Sequence, residues 1–119
     1  MSIDRTTQLG SIVISNDAVA MLAGGVVMEC YGVVGMASQK LLKDGFAELL
    51  KRDNYSRGVV VKKNEEGYEI DLYVILSYGV KLSEVVASIQ EKVKYTLEKT
   101  LEQSFTRVNV YVQGIKVMK

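Results

Sequence analysis

Residues 58–78 read GVVVKKNEEGYEIDLYVILSY, and this stretch decides the class of fold. Two runs rich in β-branched and aromatic residues flank the polar segment Asn64-Glu65-Glu66-Gly67, whose glycine suits a hairpin turn. Residues 58–63 and 68–78 are therefore predicted to form an antiparallel β-hairpin. In the second strand every other side chain is apolar, and those predicted to face the core are Ile70, Leu72, Val74 and Leu76.

The segments that follow this hairpin extend the sheet and cover it. Residues 83–103 carry apolar side chains at spacings of three and four, which predicts an amphipathic helix lying on the sheet. The apolar stripe consists of Leu82, Val85, Val86, Ile89, Val93, Leu97 and Leu101. In residues 105–117 Val108, Val110 and Val112 alternate strictly, so the chain is predicted to close on a strand.

The segments that precede the hairpin are predicted to supply a strand and two helices. Residues 8–14 end in a β-branched run, and Ser15-Asn16-Asp17 then offers side-chain oxygens that cap a helix. Close approach of another backbone is the expected reason for Gly24-Gly25 in that helix. Its predicted stripe is Val19, Leu22, Val26 and Cys30. A short second helix is predicted from the helical spacing of Leu41, Leu42, Phe46, Leu49 and Leu50, ending at Lys51-Arg52.

The predicted order is strand, helix, short helix, strand, strand, long helix, strand. With one hairpin and helices grouped on one face, this order predicts a two-layer α+β sandwich with a mostly antiparallel sheet. Residues 1–119 contain no internal repeat, no low-complexity tract and no proline. We therefore expect one domain that spans the whole sequence.

The composition argues against several classes of function. Of the 119 residues 48% are hydrophobic, and 15 Lys and Arg against 14 Asp and Glu leave a net charge of +1. This charge gives no bulk attraction to nucleic acid or anionic lipid. One cysteine and no histidine argue against a hydrolase triad, a zinc site and an internal disulfide. The first residues lack the order of a secretory signal, so we expect a cytoplasmic protein.

Residues 18–39 are long and apolar enough to raise the question of a membrane span. Glu29 is the only charged residue among them, and in mid-membrane it would cost about 2.5–3.5 kcal/mol on insertion scales. The four glycines of this stretch add little apolar surface in return. We therefore expect no direct insertion into a membrane.

Few residues are candidates for chemistry. Cys30 lies on an apolar stripe and is expected to be a buried structural residue. The acids Glu65, Glu66, Glu69 and Asp71 lack the spacing of a calcium loop, so a solvated hairpin tip is expected rather than a metal site. An active site would require at least two of Glu29, Lys62, Asp71 and Tyr73 to converge in a pocket with perturbed ionisation. No catalytic residue, metal or cofactor is predicted.

The segment Gly32-Val33-Val34-Gly35 leaves RNA binding open as an alternative. In the predicted order it joins two helices, as the Gly-x-x-Gly loop of a KH domain does when it clamps a nucleic-acid backbone. The two central residues are valines, and no Lys or Arg lies between Arg5 and Lys40 to meet a phosphate. Nucleic acid is therefore not the favoured partner.

Several blocks of the sequence together resemble the alkaline shock protein family, the envelope-stress proteins of Gram-positive bacteria. The blocks follow one another along nearly the whole chain, and their order and spacing carry the resemblance. They are Gly10 to Ser15, Ala23 to Met36 with its Gly-Val-Val-Gly-Met ending, Gly58-Val59-Val60-Val61, Tyr78-Gly79, and Val108 to Ile115.

The resemblance implies a non-enzymatic cytoplasmic protein that serves the cell envelope under stress. It implies protein partners, which in some members include a small membrane-anchored protein that holds them at the inner face of the membrane. For some short members it implies instead a regulatory role in fatty-acid or membrane-lipid metabolism, which stays open as an alternative. It brings no catalytic residues.

The sheet itself offers a candidate contact surface. Because side chains alternate between the two faces of a strand, the face opposite the core is predicted to carry Asp71, Tyr73, Ile75, Arg107, Asn109 and Tyr111. With all helices on the other layer, nothing is left to cover this mixed aromatic, apolar and charged surface. We expect it to bind a protein partner or a second copy of the chain, and an ordinary solvent-facing sheet is the alternative.

Overall fold

The computed structural model of the protein describes residues 3–41 and 47–117. Its strands are β1 (Ile3–Thr7), β2 (Gly10–Ile14), β3 (Val33–Leu41), β4 (Ala47–Leu49), β5 (Val59–Asn64), β6 (Gly67–Ser77) and β7 (Phe105–Lys116). Its α-helices are α1 (Asn16–Met28) and α2 (Leu82–Leu101), and a 3₁₀ helix spans Arg52–Gly58.

Strand β6 is the centre of the main sheet. Along one edge it pairs in parallel with β7, and along the other it pairs antiparallel with β5 over its first half and with β3 over its second half. Strand β4 pairs with β3, whereas β1 and β2 form a separate two-stranded sheet. The predicted hairpin is confirmed, because β5 and β6 pair from Val59 opposite Leu72 to Asn64 opposite Gly67.

The helices pack on one face of this sheet and make a single core with it. The core face of β6 carries Tyr68, Ile70, Leu72, Val74 and Leu76, all in the same buried cluster as the helices. The buried stripe of α2 is Val85, Ile89, Val93, Leu97 and Leu101, close to the predicted one. The α+β class, the mostly antiparallel sheet and the helix layer on one face are therefore confirmed.

The predicted short second helix is wrong at both of its ends. Leu41 ends β3, and Ala47–Leu49 forms β4, while residues 42–46 lie outside the described residues. The backbone N–H of Leu50 donates to the carbonyl of Met36 at 2.9 Å, as in a strand pair. Leu49 is exposed and Leu50 is buried, which is the period of a strand. A short apolar run is compatible with the period of a helix and with that of a strand. Here pairing with β3 favours the strand.

The sequence interpretation missed β3, which adds a strand to the main sheet, and it missed β1. Strand β1 contributes one core side chain, Ile3, and its other residues are two charged and two polar ones that pair with β2 across a tight turn. Arg5 ties the hairpin to the end of α2 through an ion pair with Glu102 and a bond to its carbonyl.

Helix α1 begins as predicted, with the Ser15 hydroxyl accepting from the N–H of Ala18 at 3.1 Å. The predicted reason for Gly24-Gly25 is wrong. A side chain on Gly24 would collide with the ring of Tyr55 rather than with a backbone, and a Cβ on Gly25 would meet nothing within 4 Å.

The Gly32–Gly35 segment does not join two helices. Gly32 lies in a turn with a φ of +87°, and β3 begins at Val33. The helix-loop-helix arrangement on which the comparison with KH domains rests is therefore contradicted. The same strand interrupts residues 18–39, and no helix within the described ranges is long and apolar enough to cross a membrane.

Candidate partner-binding face

The six residues predicted to form a contact surface lie together on β6 and β7. Asp71 is opposite Asn109, Tyr73 is opposite Tyr111, and the preceding pair joins Glu69 to Arg107. Ile75 follows on β6, just beyond a bulge in β7. Because these side chains alternate with the core residues of the same strands, they lie on the face away from the helices.

Strand β5 adds two residues that the sequence interpretation left out of this face. Val60 pairs with Asp71, and Lys62 pairs with Glu69. Val60 and Lys62 could have been predicted from the sequence, because the two-residue turn at Glu65-Glu66 fixes the register of both strands. We call the whole surface the outer sheet face. It consists of Val60, Lys62, Glu69, Asp71, Tyr73, Ile75, Arg107, Asn109 and Tyr111.

Asp71 is the centre of a polar network on this face. Its Oδ2 lies 2.9 Å from the Nζ of Lys62, and its Oδ1 accepts from the Nδ2 of Asn109 at 2.8 Å. The same Asn109 nitrogen donates to the Oε2 of Glu69, also at 2.8 Å. These contacts tie β5, β6 and β7 together through their side chains. A buried carboxylate needs such partners because an unpaired one is costly.

The burial of Asp71 and Ile75 corrects the expected exposure of the face. Asp71 is only 3% exposed and Ile75 only 7%. Glu65 and Glu66 are exposed, as expected for a solvated hairpin tip, but Glu69 is half-buried and Asp71 is buried. Near Ile75, Gln113 at the β7 bulge reaches across β6 to the carbonyls of Ser38 and Gln39, at 3.2 and 2.9 Å. The accessible part of the face is therefore smaller than predicted.

Two stacked tyrosines form the accessible aromatic part. The rings of Tyr73 and Tyr111 lie 4.8 Å apart between centroids, with an angle of 14° between their planes. Tyr111 is 43% exposed, and Tyr73 on the neighbouring strand is half-buried. A rigid tyrosine pair presents apolar area with polar tips, which is the composition that protein interfaces favour.

Ionisation on the face is perturbed in a direction that favours the ion pair. The hydrogen bond to Asp71, followed by the charge of that carboxylate, raises the pKa of Lys62. Burial, followed by the negative charge of Asp71, raises the pKa of Tyr73. Lys62 is thus held as an ammonium ion and Tyr73 as a neutral phenol. Neither shift produces a base or a nucleophile at neutral pH.

An active site would require at least two of Glu29, Lys62, Asp71 and Tyr73 to converge in a pocket with perturbed ionisation. Lys62, Asp71 and Tyr73 converge, but this meets only part of that requirement. One cavity that borders this face has a volume of about 440 Å³ and lies between α2 and β7. Arg107 and Asn109 line it together with residues of α2, but the three convergent residues do not. They lie instead on the outer sheet face, where Asp71 is buried, Tyr73 is half-buried and Lys62 is exposed.

The remaining candidates lie apart from this face. Cys30 is buried, its Sγ donates to the carbonyl of Val26 at 3.4 Å, and burial raises the pKa of its thiol. Glu29 caps the end of α1 and is exposed. Within residues 3–41 and 47–117 no group of three or more His, Cys, Asp or Glu side chains is arranged to hold a metal ion.

Comparison with known proteins gives one family and several relatives. A model of the alkaline shock protein 23 family, described by a cell envelope-related function, matches residues 4–117. The chain is 50% identical over 117 residues to the uncharacterised protein YloU of Bacillus subtilis, covering 98% of each chain. It is 48% identical over 118 residues to the uncharacterised protein Spy1614 of Streptococcus pyogenes, covering 99% of this chain and 98% of that one. No solved structure matches.

Proposed function

The chain belongs to the alkaline shock protein 23 family, whose function is related to the cell envelope, and from this we propose that it is a non-enzymatic interaction or scaffold protein of the envelope stress response. It works in the cytoplasm and reaches the membrane through a protein partner. The balanced charge of 15 cations against 14 anions supports an indirect route, because it gives no electrostatic attraction to anionic lipid.

The stacked pair of Tyr73 and Tyr111 is the observation that carries this proposal. Its rings are partly exposed on a platform of three strands, which the contacts of Asp71 hold rigid. A pre-ordered aromatic surface loses little conformational entropy when a partner binds. Arg107 is exposed on the same face, four residues before Tyr111 on β7, and adds the residue type that is enriched with tyrosine at binding hot spots.

The absence of enzymatic activity is proposed from the state of the reactive groups. The sequence has no histidine, so the commonest general base is missing. The thiol of Cys30 is buried and its pKa is raised, which disfavours the reactive thiolate. Lys62 is engaged by Asp71 and stays protonated.

The test compares partner capture by three forms of the full chain. Tyr111→Glu places a charge in the centre of the accessible aromatic surface, and Tyr95→Glu is the matched control. Tyr95 is a 64% exposed tyrosine on α2, in the other layer of the fold. Each form is used as bait in cells of a bacterium that carries a related protein, and the bound proteins are quantified by mass spectrometry. We expect Tyr111→Glu to lose at least about 90% of the specifically bound partner, a tenfold loss that corresponds to about 1.4 kcal/mol.

A second measurement separates partner-mediated from direct membrane contact. The purified chain is mixed with anionic liposomes and sedimented, and we expect it to stay in the supernatant. Pelleting without another protein would contradict the proposed route. Equal capture by the wild-type chain and Tyr111→Glu would show that the partner binds elsewhere.

A further inference from the structure

Strand β7 is an edge strand of the main sheet. One of its edges pairs with β6 from Phe105 to Lys116, and within residues 3–41 and 47–117 no strand pairs with the other edge. The backbone N–H and C=O groups of a strand point alternately to its two edges. The free edge of β7 therefore carries backbone groups that no strand bonds, and such groups are a template for another extended chain.

A side chain of α2 takes the place of a neighbouring strand at only one point of this edge near its middle. The Nε2 of Gln90 donates to the carbonyl of Val108 at 3.0 Å, which places this carbonyl on the edge away from β6. Because backbone groups alternate along a strand, the N–H and C=O of Val110 and Val112 point the same way. Within the described part of the chain, no side chain or turn bonds to the backbone of either valine.

The cavity of about 440 Å³ between α2 and β7 borders this edge. Three residues of α2 and three of β7 line it: Gln90, Glu91, Lys94, Arg107, Val108 and Asn109. Glu91 balances the charge of Lys94, so Arg107 leaves the lining with a net positive charge. Beyond the cavity, Val110 and Val112 pack against the core but are only half-buried. The helix layer therefore leaves apolar surface beside β7 that one more strand would cover.

The charged side chains of β7 determine the chemistry of the chain that fits beside it. The strand contains two charged residues, Arg107 and Lys116, and no acid. Neither cation is in an ion pair with another described residue. Glu69 lies opposite Arg107 on β6, but its carboxylate accepts from Asn109. A strand added at the free edge would lie directly beside Arg107, and opposite charges on paired strands stabilise the pair.

We propose that the free edge of β7 binds an extended acidic segment of a partner protein, which adds a strand to the main sheet. The backbone groups of Val110 and Val112 pair with this segment. Its apolar side chains lie on the helix side and cover the two valines, and its acids lie on the outer side beside Arg107. A second copy of β7 fits less well, because it brings two further cations and no acid. The site uses backbone groups rather than the stacked tyrosines, so it goes beyond the proposed function.

The first test follows amide hydrogen exchange of the full chain by NMR. In the free chain the amides of Val110 and Val112 should exchange much faster than that of Tyr111, which points to β6. A synthetic peptide that alternates glutamate with valine, at a concentration about ten times its dissociation constant, should slow exchange at both valines about tenfold. The matched peptide with lysine in place of glutamate should not.

Three outcomes of this test would overturn the proposal. Slow exchange at both valines in the free chain at every dilution would show that the chain itself covers the edge. Protection that rises with the concentration of the chain would show that a second copy pairs there. Equal protection by the two peptides, or protection by neither, would exclude an acidic strand as the occupant.

The second test changes the edge donor and the charge separately. Proline has no N–H but is tolerated on an edge strand where the N–H faces outward, so Val110→Pro should fold and bind the glutamate peptide about tenfold more weakly. Val110→Ala keeps the N–H and should bind within a few-fold of the wild type. Arg107→Glu should prefer the lysine peptide, whereas Lys63→Glu, at an exposed cation on β5, should keep the preference for glutamate. Thermal unfolding verifies that each variant is folded. Undiminished binding by folded Val110→Pro, or an unchanged preference in Arg107→Glu, would overturn the proposal.

Discussion

Gly24 and Gly25 are neighbours in α1 with opposite surroundings. The ring of Tyr55 occupies the space where a side chain of Gly24 would lie, and Tyr55 is itself nearly buried between the helix and the sheet. A Cβ on Gly25 would meet nothing within 4 Å. The pair of glycines was recognisable in the sequence as a departure from helix propensity. Only Gly24 is required by a packing contact. That contact is with Tyr55, 31 positions away in the chain, so it was not predictable from spacing.

The two glycines should therefore respond oppositely to alanine. Gly24→Ala forces Tyr55 to move and should destabilise the monomer by about 1–3 kcal/mol, as overpacking does. Gly25→Ala removes a helix-weakening residue at an open site and should stabilise it by about 1 kcal/mol. Urea unfolding of the two variants and of the wild-type chain measures both effects. Equal effects of the two substitutions would contradict the assigned surroundings.

The three strands β5, β6 and β7 are joined by side chains as well as by their backbones. Lys62 reaches from β5 to Asp71 on β6, and Asn109 reaches from β7 to the same carboxylate. These strands were predictable because the alternation of their apolar residues, the turn between β5 and β6 and their packing against the helices all favour the same structure. The burial of Asp71 was not, since it depends on which polar residues the register places opposite it. β1, β3 and β4 were missed. β1 and β4 have only three to five residues, which carry too weak a period, and the pairing of β3 with β6 is irregular between Val33 and Gly35.

The ion pair between β5 and β6 should make stability fall at alkaline pH. Lys62 has a pKa raised above its ordinary 10.5, and Tyr73 one raised above 10.0. A group whose pKa is raised by folding contributes stability that is complete below the unfolded pKa and is lost as pH rises through the folded one. The urea midpoint of the wild-type chain should thus decline above pH 10, the ordinary value for the tyrosine.

Lys62→Arg isolates the lysine in that decline. Arginine keeps the positive charge beside Asp71 at every pH in this range, so the variant should show a shallower fall. Lys63→Arg, on the next residue of β5 and exposed, is the matched control and should fall like the wild type. Because Lys62 is 55% exposed, solvent screens the pair and the difference should be small. Parallel curves for Lys62→Arg and the wild type would assign the decline to other groups.

On the scale of the whole molecule, the helices form one layer on the main sheet, and the outer sheet face lies on the other side of that sheet. The sequence sufficed to predict this division, because the core residues of β6 and the stripe of α2 assign the helices to one face. It could not show how much of the outer sheet face remains accessible, since cross-strand contacts and the bridge from Gln113 close part of it.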